Sequence, residues 1–260
     1  MELEQRLKQL TDDRDNYEGL ADESLKNKHL AMLLGPSAVG KSTIIGHILS
    51  QALERGVLAA EPGTSTTRKG RPSDPSSYHT DISREKIIEM IEQRKPINWS
   101  PSPTGEIYAT LPEDFYAPYN FMACLPDSVP MLQAAGFKTT SFYIATSANS
   151  WYSQLEKDRM YQEDGKTFRP DFGQRMTEAM DSIVYIQNKY DVHRLVSKPG
   201  EESLRRIAAR ILKLTTGNFG GMFNDAPLTY DKEESFDACC SEMYSLAMEL
   251  SIEFENSLAA

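Results

Sequence analysis

The sequence predicts an α/β fold, a mostly parallel sheet covered by helices on both faces, and three observations predict it. From His29 to Leu214, short apolar runs of strand character alternate with longer amphipathic runs. Between the first such strand and the helix after it stands a loop opened by Gly35 and closed by Gly40, Lys41 and Ser42. The chain of 260 residues is 40% hydrophobic and 25% charged, which excludes wholesale disorder and gives enough mass for one large domain or two small ones.

Taken in order, residues 1–27 read as an exposed helix with Leu3, Leu7 and Leu10 at helical spacing, a stripe too short for a coiled coil. His29 to Leu34 is a compact apolar strand, and Lys41 to about Glu54 a helix. Thr64 to Thr67 suggests a short strand before the turn-rich stretch Arg68 to Ser77. Ser83 to Arg94 is helical, with Ile87, Ile88 and Ile91 on its apolar face. Short strands are expected near Ile97 to Trp99 and Ile107 to Ala109, and buried parallel strands at Phe121 to Leu125 and Ser141 to Ala145. Helices at about Ser150–Arg159 and Phe172–Lys189, a strand at Val192 to Val196 and a helix at Glu201 to Leu214 complete the alternation. Thr215 to Asp231, with Gly217, Gly220, Gly221 and Pro227, reads as a linker. A terminal helix follows, its stripe made of Phe236, Cys239, Met243, Leu246, Leu250 and Phe254. Such a stripe is expected to pack, back onto the core in the favoured reading or against a second subunit in a homodimer.

The formal net charge is -10, carried by the ends: residues 1–27 are net -4, residues 28–214 net +2 and residues 215–260 net -8. An acidic chain is a poor non-specific binder of nucleic acid, whereas an anionic small molecule at a local basic cluster remains open. The longest apolar runs are short, such as Leu30 to Leu34, so no segment is expected to span a membrane. The opening MELEQRLKQL is too charged for a signal peptide, and three cysteines without metal or disulfide spacing fit the same cytoplasmic expectation. The four histidines also lack ligand spacing.

Gly35, Pro36, Ser37, Ala38, Val39, Gly40, Lys41 and Ser42 match the pattern G-x-x-x-x-G-K-[ST], with Thr43 continuing into the helix. Glycines let backbone N–H groups converge on phosphate oxygens, and the helix N-terminus adds unpaired donors. Lys41 is placed to reach the terminal phosphates of ATP and Ser42 to ligate Mg²⁺. The loop says nucleoside triphosphate and leaves the phosphate acceptor open.

A second cluster, Thr64-Ser65-Thr66-Thr67-Arg68-Lys69-Gly70-Arg71-Pro72, sets two guanidinium groups beside hydroxyls, a combination that grips a phosphate dianion. The phosphate loop, this cluster, Tyr78-His79, Ile97-Asn98-Trp99 and Ile107-Tyr108-Ala109-Thr110 follow one another in the order expected of guanylate kinases. Leu155 to Arg159, Gln174-Arg175-Met176 and Tyr190-Asp191-Val192 continue it, so residues 29–213 resemble that family. The resemblance implies a P-loop kinase over 28–214, with a small acceptor-binding part at about 62–118, a lid at about 158–175, and terminal extensions outside it. It implies ATP with Mg²⁺ and a nucleoside monophosphate as substrates, GMP or dGMP first. Thr64, Arg68, Arg71, Tyr78 and Tyr108 would hold the acceptor phosphate. Asn98 and Thr110 would meet the base. Arg159 and Arg175 would act with Lys41 as catalytic cations from the lid.

The chain departs from the family at three places. Asn98 stands where the family has Glu, replacing a group of acceptors with one acceptor and two donors. Ala109 replaces a glycine. The strand ending Met122-Ala123-Cys124-Leu125 lacks the expected acidic residues, and Asp127 is the nearby candidate, either as a metal-side carboxylate or as a helix cap. These changes leave other acceptors open: a deoxy- or modified pyrimidine nucleotide, or ribose 1,5-bisphosphate. A non-catalytic binding module of the same fold is the other alternative.

Overall fold

The computed structural model of the chain describes residues 2–14, 17, 22–70, 77–102, 105–189, 191–217 and 233–259. Arg71, Tyr190 and nearly all of the expected linker lie outside the described residues.

In chain order the elements are α1 (Leu3–Asp12), β1 (His29–Leu34), α2 (Lys41–Glu54), β2 (Ala59–Ala60), β3 (Thr64–Thr66), β4 (Tyr78–His79), α3 (Arg84–Glu92), β5 (Asn98–Pro101), β6 (Ile107–Thr110), β7 (Tyr119–Ala123), α4 (Val129–Ala134), β8 (Lys138–Thr146), α5 (Ala148–Leu155), α6 (Phe172–Gln187), β9 (Val192–Ser197), α7 (Glu201–Thr216) and α8 (Glu233–Ala259). Five strands form a mostly parallel sheet in the order β2-β7-β1-β8-β9, and four form a second sheet in the order β4-β3-β6-β5. In the first, β2 runs parallel to β7 with Ala59 opposite Tyr119, and β8 parallel to β9 from Ser141 opposite Val192 to Thr146 opposite Ser197. Six consecutive buried residues in β8, Ser141 to Thr146, are what a strand covered on both faces requires. The chain divides into two compact units.

The first unit comprises Met1–Leu30, Leu58–Met122 and Asp127–Thr139. It contains the four-stranded sheet, in which β3 and β6, and β5 and β6, are antiparallel while β3 and β4 are parallel. One face of that sheet presents Trp99, Ile107 and Ala109 to Leu7, Ile87, Ile88, Ile91 and Met131. Ser83 starts α3 by accepting the amide of Lys86 at 3.3 Å, which turns the three isoleucines onto this core. The N-terminal helix, expected to be exposed, is instead packed: Leu7 is 7% exposed, with Leu3 and Leu10 at the margin of the same cluster. A three-leucine stripe is too short to pair with itself, yet it suffices when a ready apolar face lies on α3. Ion pairs Arg6–Glu92 and Arg84–Glu4, each at 2.6 Å, flank that contact.

The second unit comprises Ala31–Val57, Ala123–Pro126 and Thr140–Ala260. Here α2, burying Ile44, Ile45, Ile48 and Ala52, packs on α7, which buries Ile207, Ala208, Ile211 and Leu212. The helix expected at Ser150–Arg159 is α-helical only to Leu155 and continues as a π-helical turn, Glu156–Met160. The first two residues assigned to the linker, Thr215 and Thr216, extend α7. The C-terminal helix packs on α5, α6 and β9 of its own chain, burying Phe236, Cys240, Met243, Ala247 and Leu250. Cys240 and Ala247 thus replace Cys239 and Leu246 at the centre of the expected stripe. Both sets advance in steps of three and four, and the small Ala247 lets the helices approach more closely than Leu246 would.

Candidate active site

The second unit carries the phosphate loop. Strand β1 delivers the chain to Gly35 at φ +129°, where a Cβ would lie 2.5 Å from the carbonyl oxygen of Ile144, so that no side chain fits. Ala38 at φ +67° and Gly40 at φ +90° complete the reversal into α2. From α5, the buried Trp151 donates its Nε1–H to the carbonyl of Ser37 at 2.8 Å and braces the loop. Val39 is buried, while Ser42 and Thr43 are exposed on the first turn of α2.

Lys41 Nζ donates to the carbonyls of Gly35 and Pro36 at 2.6 and 2.7 Å. Desolvation pushes its ammonium down to about 8, opposed by Cys124 and Glu178 and reinforced by the positive charge of Arg159. Those influences place Arg159, from the π turn, and Glu178, from α6, in electrostatic reach of Lys41. Arg175 is tied elsewhere: its Nε donates to Asp171 Oδ2 at 2.7 Å, and Arg169 lies 3.7 Å from the same carboxylate. Of the other two expected cations, Arg159 acts on Lys41 through its charge, and Arg175 is held on an acidic partner.

The first unit carries the other set. In the small sheet Asn98 faces Thr110, Ser100 faces Tyr108, Tyr108 faces Thr66, and Thr64 faces Tyr78. Strand alternation puts all of these on the face opposite Trp99 and Ala109, so the polar acceptor candidates share one surface. Arg68 continues the alternation of Thr64 and Thr66. Its amide donates to Thr66 Oγ1 at 3.2 Å, its Nη1 to the carbonyl of Lys69 at 2.9 Å, and the residue is 8% exposed. The Tyr78 phenol is raised by burial and by Glu61, eased by a hydrogen bond with Thr64, and influenced by Tyr108 and Arg68, which makes these five side chains neighbours. Asn98 is 5% exposed, and its Oδ1 is buried without a hydrogen-bond partner among the described residues.

Asp127, the metal-side candidate, pairs with Arg14 within the first unit and accepts from Ser128 Oγ at 3.5 Å. The capping position of α4 is Ser128 itself. Sequence reasoning passed over Glu61, which burial pushes up to about 7, and Glu178, whose charge acts on Lys41. Glu178 had a signal, since it lies one helical turn beyond Arg175; Glu61, before Pro62 and Gly63, had none.

A mostly parallel five-stranded sheet with flanking helices, and a G-x-x-x-x-G-K-S loop between β1 and α2, define an α/β fold with a phosphate-binding-loop motif. No family model matches the chain, and no curated protein matches it. Among solved structures, a guanylate kinase from Anaplasma phagocytophilum aligns with a TM-score of 0.50 at 13% identity, covering 75% of this chain and 88% of that one. A gluconokinase from Sinorhizobium meliloti 1021 aligns with a TM-score of 0.32 at 13% identity, covering 74% of this chain and 95% of that one. The first likeness establishes the fold alone, and the second adds nothing to it.

Proposed function

We propose that this chain transfers the γ-phosphoryl group of ATP to the phosphate of a nucleoside monophosphate, with GMP and dGMP the acceptors that the sequence resemblance puts first. The observation that carries the reading is the phosphate loop itself, with Lys41 Nζ bonded to the carbonyls of Gly35 and Pro36 at the start of α2 and Trp151 bracing Ser37. In the reaction an acceptor phosphate oxygen bonds to the γ-phosphorus while its bond to the bridging oxygen breaks and ADP departs. The loop amides would hold the phosphates, Lys41 would exchange its loop carbonyls for phosphate oxygens, and Arg159 and Arg175 would neutralise the transferring group. Mg²⁺ arriving with ATP withdraws charge from the phosphate oxygens, and Ser42 is the side chain that would ligate it. Arg68, Thr64, Tyr78 and Tyr108 would grip the acceptor phosphate.

A second reading of the acceptor is favoured by Asn98. Guanine offers two neighbouring donors, N1–H and N2–H, and a carboxylate accepts both. The Asn98 amide presents one acceptor beside one donor whichever way it is turned, so guanine presented by its N1–H and N2–H meets one bond and one donor–donor conflict, and only its O6/N1–H pair matches the amide. A base whose edge sets a donor next to an acceptor, as in adenine, cytosine or thymine, satisfies the buried Oδ1 and the amide N–H together. Thr110 lies two residues beyond Tyr108, about 7 Å along the strand, the scale of a sugar between phosphate and base.

The test is ADP release with ATP, Mg²⁺ and a panel of ribo- and deoxynucleoside monophosphates plus ribose 1,5-bisphosphate. Highest kcat/KM on GMP or dGMP supports the first reading. Highest kcat/KM on a donor–acceptor base, with Asn98→Glu moving preference toward GMP by roughly tenfold or more, supports the second. Turnover of the sugar bisphosphate alone rejects both.

A further inference from the structure

We propose that α8 positions the arginine-bearing hairpin of the second unit, and that Phe254 is the positioning residue. In its consequences for phosphoryl transfer, the proposal rests on the function proposed above. The segment between the π turn and α6 is a small hairpin. One isolated antiparallel bridge, Tyr161 to Phe168, joins its arms. Its backbone bonds include Gln162 N–H to Thr167 at 2.8 Å, Gly165 N–H to Gln162 at 3.0 Å and Arg169 N–H to Met160 at 3.0 Å. Two strands this short do not hold a shape in water without something to pack on.

That packing comes from rings. Phe168 lies 5.1 Å from Tyr161 and stacks on Phe172 at 5.2 Å, and Phe254 of α8 meets Phe168 edge-on at 5.8 Å and Phe172 at 6.1 Å. The neighbouring Glu253 is in electrostatic reach of Tyr161. The ring of Phe254 also fills the space over Gly173 in the first turn of α6, where a Cβ would sit 2.7 Å from its Cδ1 and Cε1. Upstream, α8 is anchored by Phe236, Cys240, Met243, Ala247 and Leu250, so that one turn beyond Leu250 a fixed ring reaches the hairpin. The three arginines of this segment are each joined to that ring cluster through the chain. Arg159 precedes Met160 and Tyr161; Arg169 follows Phe168; Arg175 is two residues past Gly173 and bonded to Asp171. Moving Phe168 and Phe172 therefore moves the arginines, and the C-terminal helix is what keeps those rings in place.

The test uses the full chain and limited trypsin digestion, read by mass spectrometry at the Lys166–Thr167 bond, together with steady-state transfer and ATP binding. In Phe254→Ala, cleavage at that bond is expected to rise roughly tenfold, as two ring contacts are lost, with cleavage within α7 unchanged. Transfer should lose kcat by about the same factor while ATP affinity stays within about twofold, because the phosphate loop is untouched. Phe254→Tyr should restore both. Gly173→Ala should reproduce the defect in the native background yet add nothing to Phe254→Ala, since the methyl then enters vacated space. If Phe254→Ala fails to fold, Phe254→Leu, which keeps apolar volume and loses the ring, takes its place. Unchanged cleavage overturns the proposal. Increased cleavage with unchanged kcat overturns the positioning role. A native chain that transfers nothing to any acceptor, but whose hairpin responds as stated, sinks the phosphotransfer reading and supports the clamp.

Discussion

Lys41 shows how a single residue joins the sequence motif to a measurable property. It is bonded to two loop carbonyls, and desolvation pushes its ammonium down to about 8. The phosphates of ATP favour its charged form, so above that pH binding must take up a proton. The sign follows: ATP affinity should be flat below about pH 7 and fall as pH rises through 8, by up to about tenfold per pH unit. Calorimetric titration at about pH 7, 8 and 9 checks this, with proton uptake appearing only at the upper values. A dissociation constant that ignores pH across that window would show that Lys41 does not carry the interaction. Residues of this kind were legible because the pattern G-x-x-x-x-G-K-S carries its geometry with it. The bond from Trp151 to Ser37 carries no such signature, because 114 positions separate the partners.

At the scale of elements, legibility followed length and period. The buried run of β8 and the isoleucine face of α3 announced themselves through unbroken or periodic apolar residues. The two-residue strands β2 and β4 have no period to read, and the π turn after Leu155 continues a helical pattern with one turn widened. Assigning faces was harder than assigning elements. Three leucines looked solvent-exposed in α1 because the isoleucines that cover them lie some eighty residues away. The stripe of α8 was shifted because leucine outranks alanine on any hydropathy scale, whereas packing rewarded the smaller residue. The α1 contact is open to direct measurement: Leu7→Ala should cost about 2–3 kcal/mol, lowering the melting temperature by roughly 5–10 °C. Differential scanning calorimetry that finds no change would return α1 to an exposed arm.

For the molecule as a whole, the proposed function rests on two chemically distinct surfaces. The second unit offers a phosphate loop with cations, and the first unit offers a polar sheet face bearing Arg68, Tyr78 and Asn98, whose Oδ1 has no partner among the described residues. A chain of net charge -10 binds anions only through such local cation clusters, so each surface is open to its own substitution. Among the described residues no helix is long and apolar enough to cross a membrane. The fold class was readable from strand and helix alternation together with the loop. The base preference was not, because an amide in place of a carboxylate changes the hydrogen-bond code without naming its partner.

The most direct measurement is acceptor-dependent ADP formation by the native chain and by Lys41→Ala, with matched melting curves. Phosphotransfer predicts ADP made in step with a phosphorylated acceptor by the native protein, and a loss of about 100- to 1,000-fold in Lys41→Ala at an unchanged melting temperature. ADP formation by Lys41→Ala at the native rate, or no acceptor-dependent ADP from the native chain across the whole panel, would contradict it.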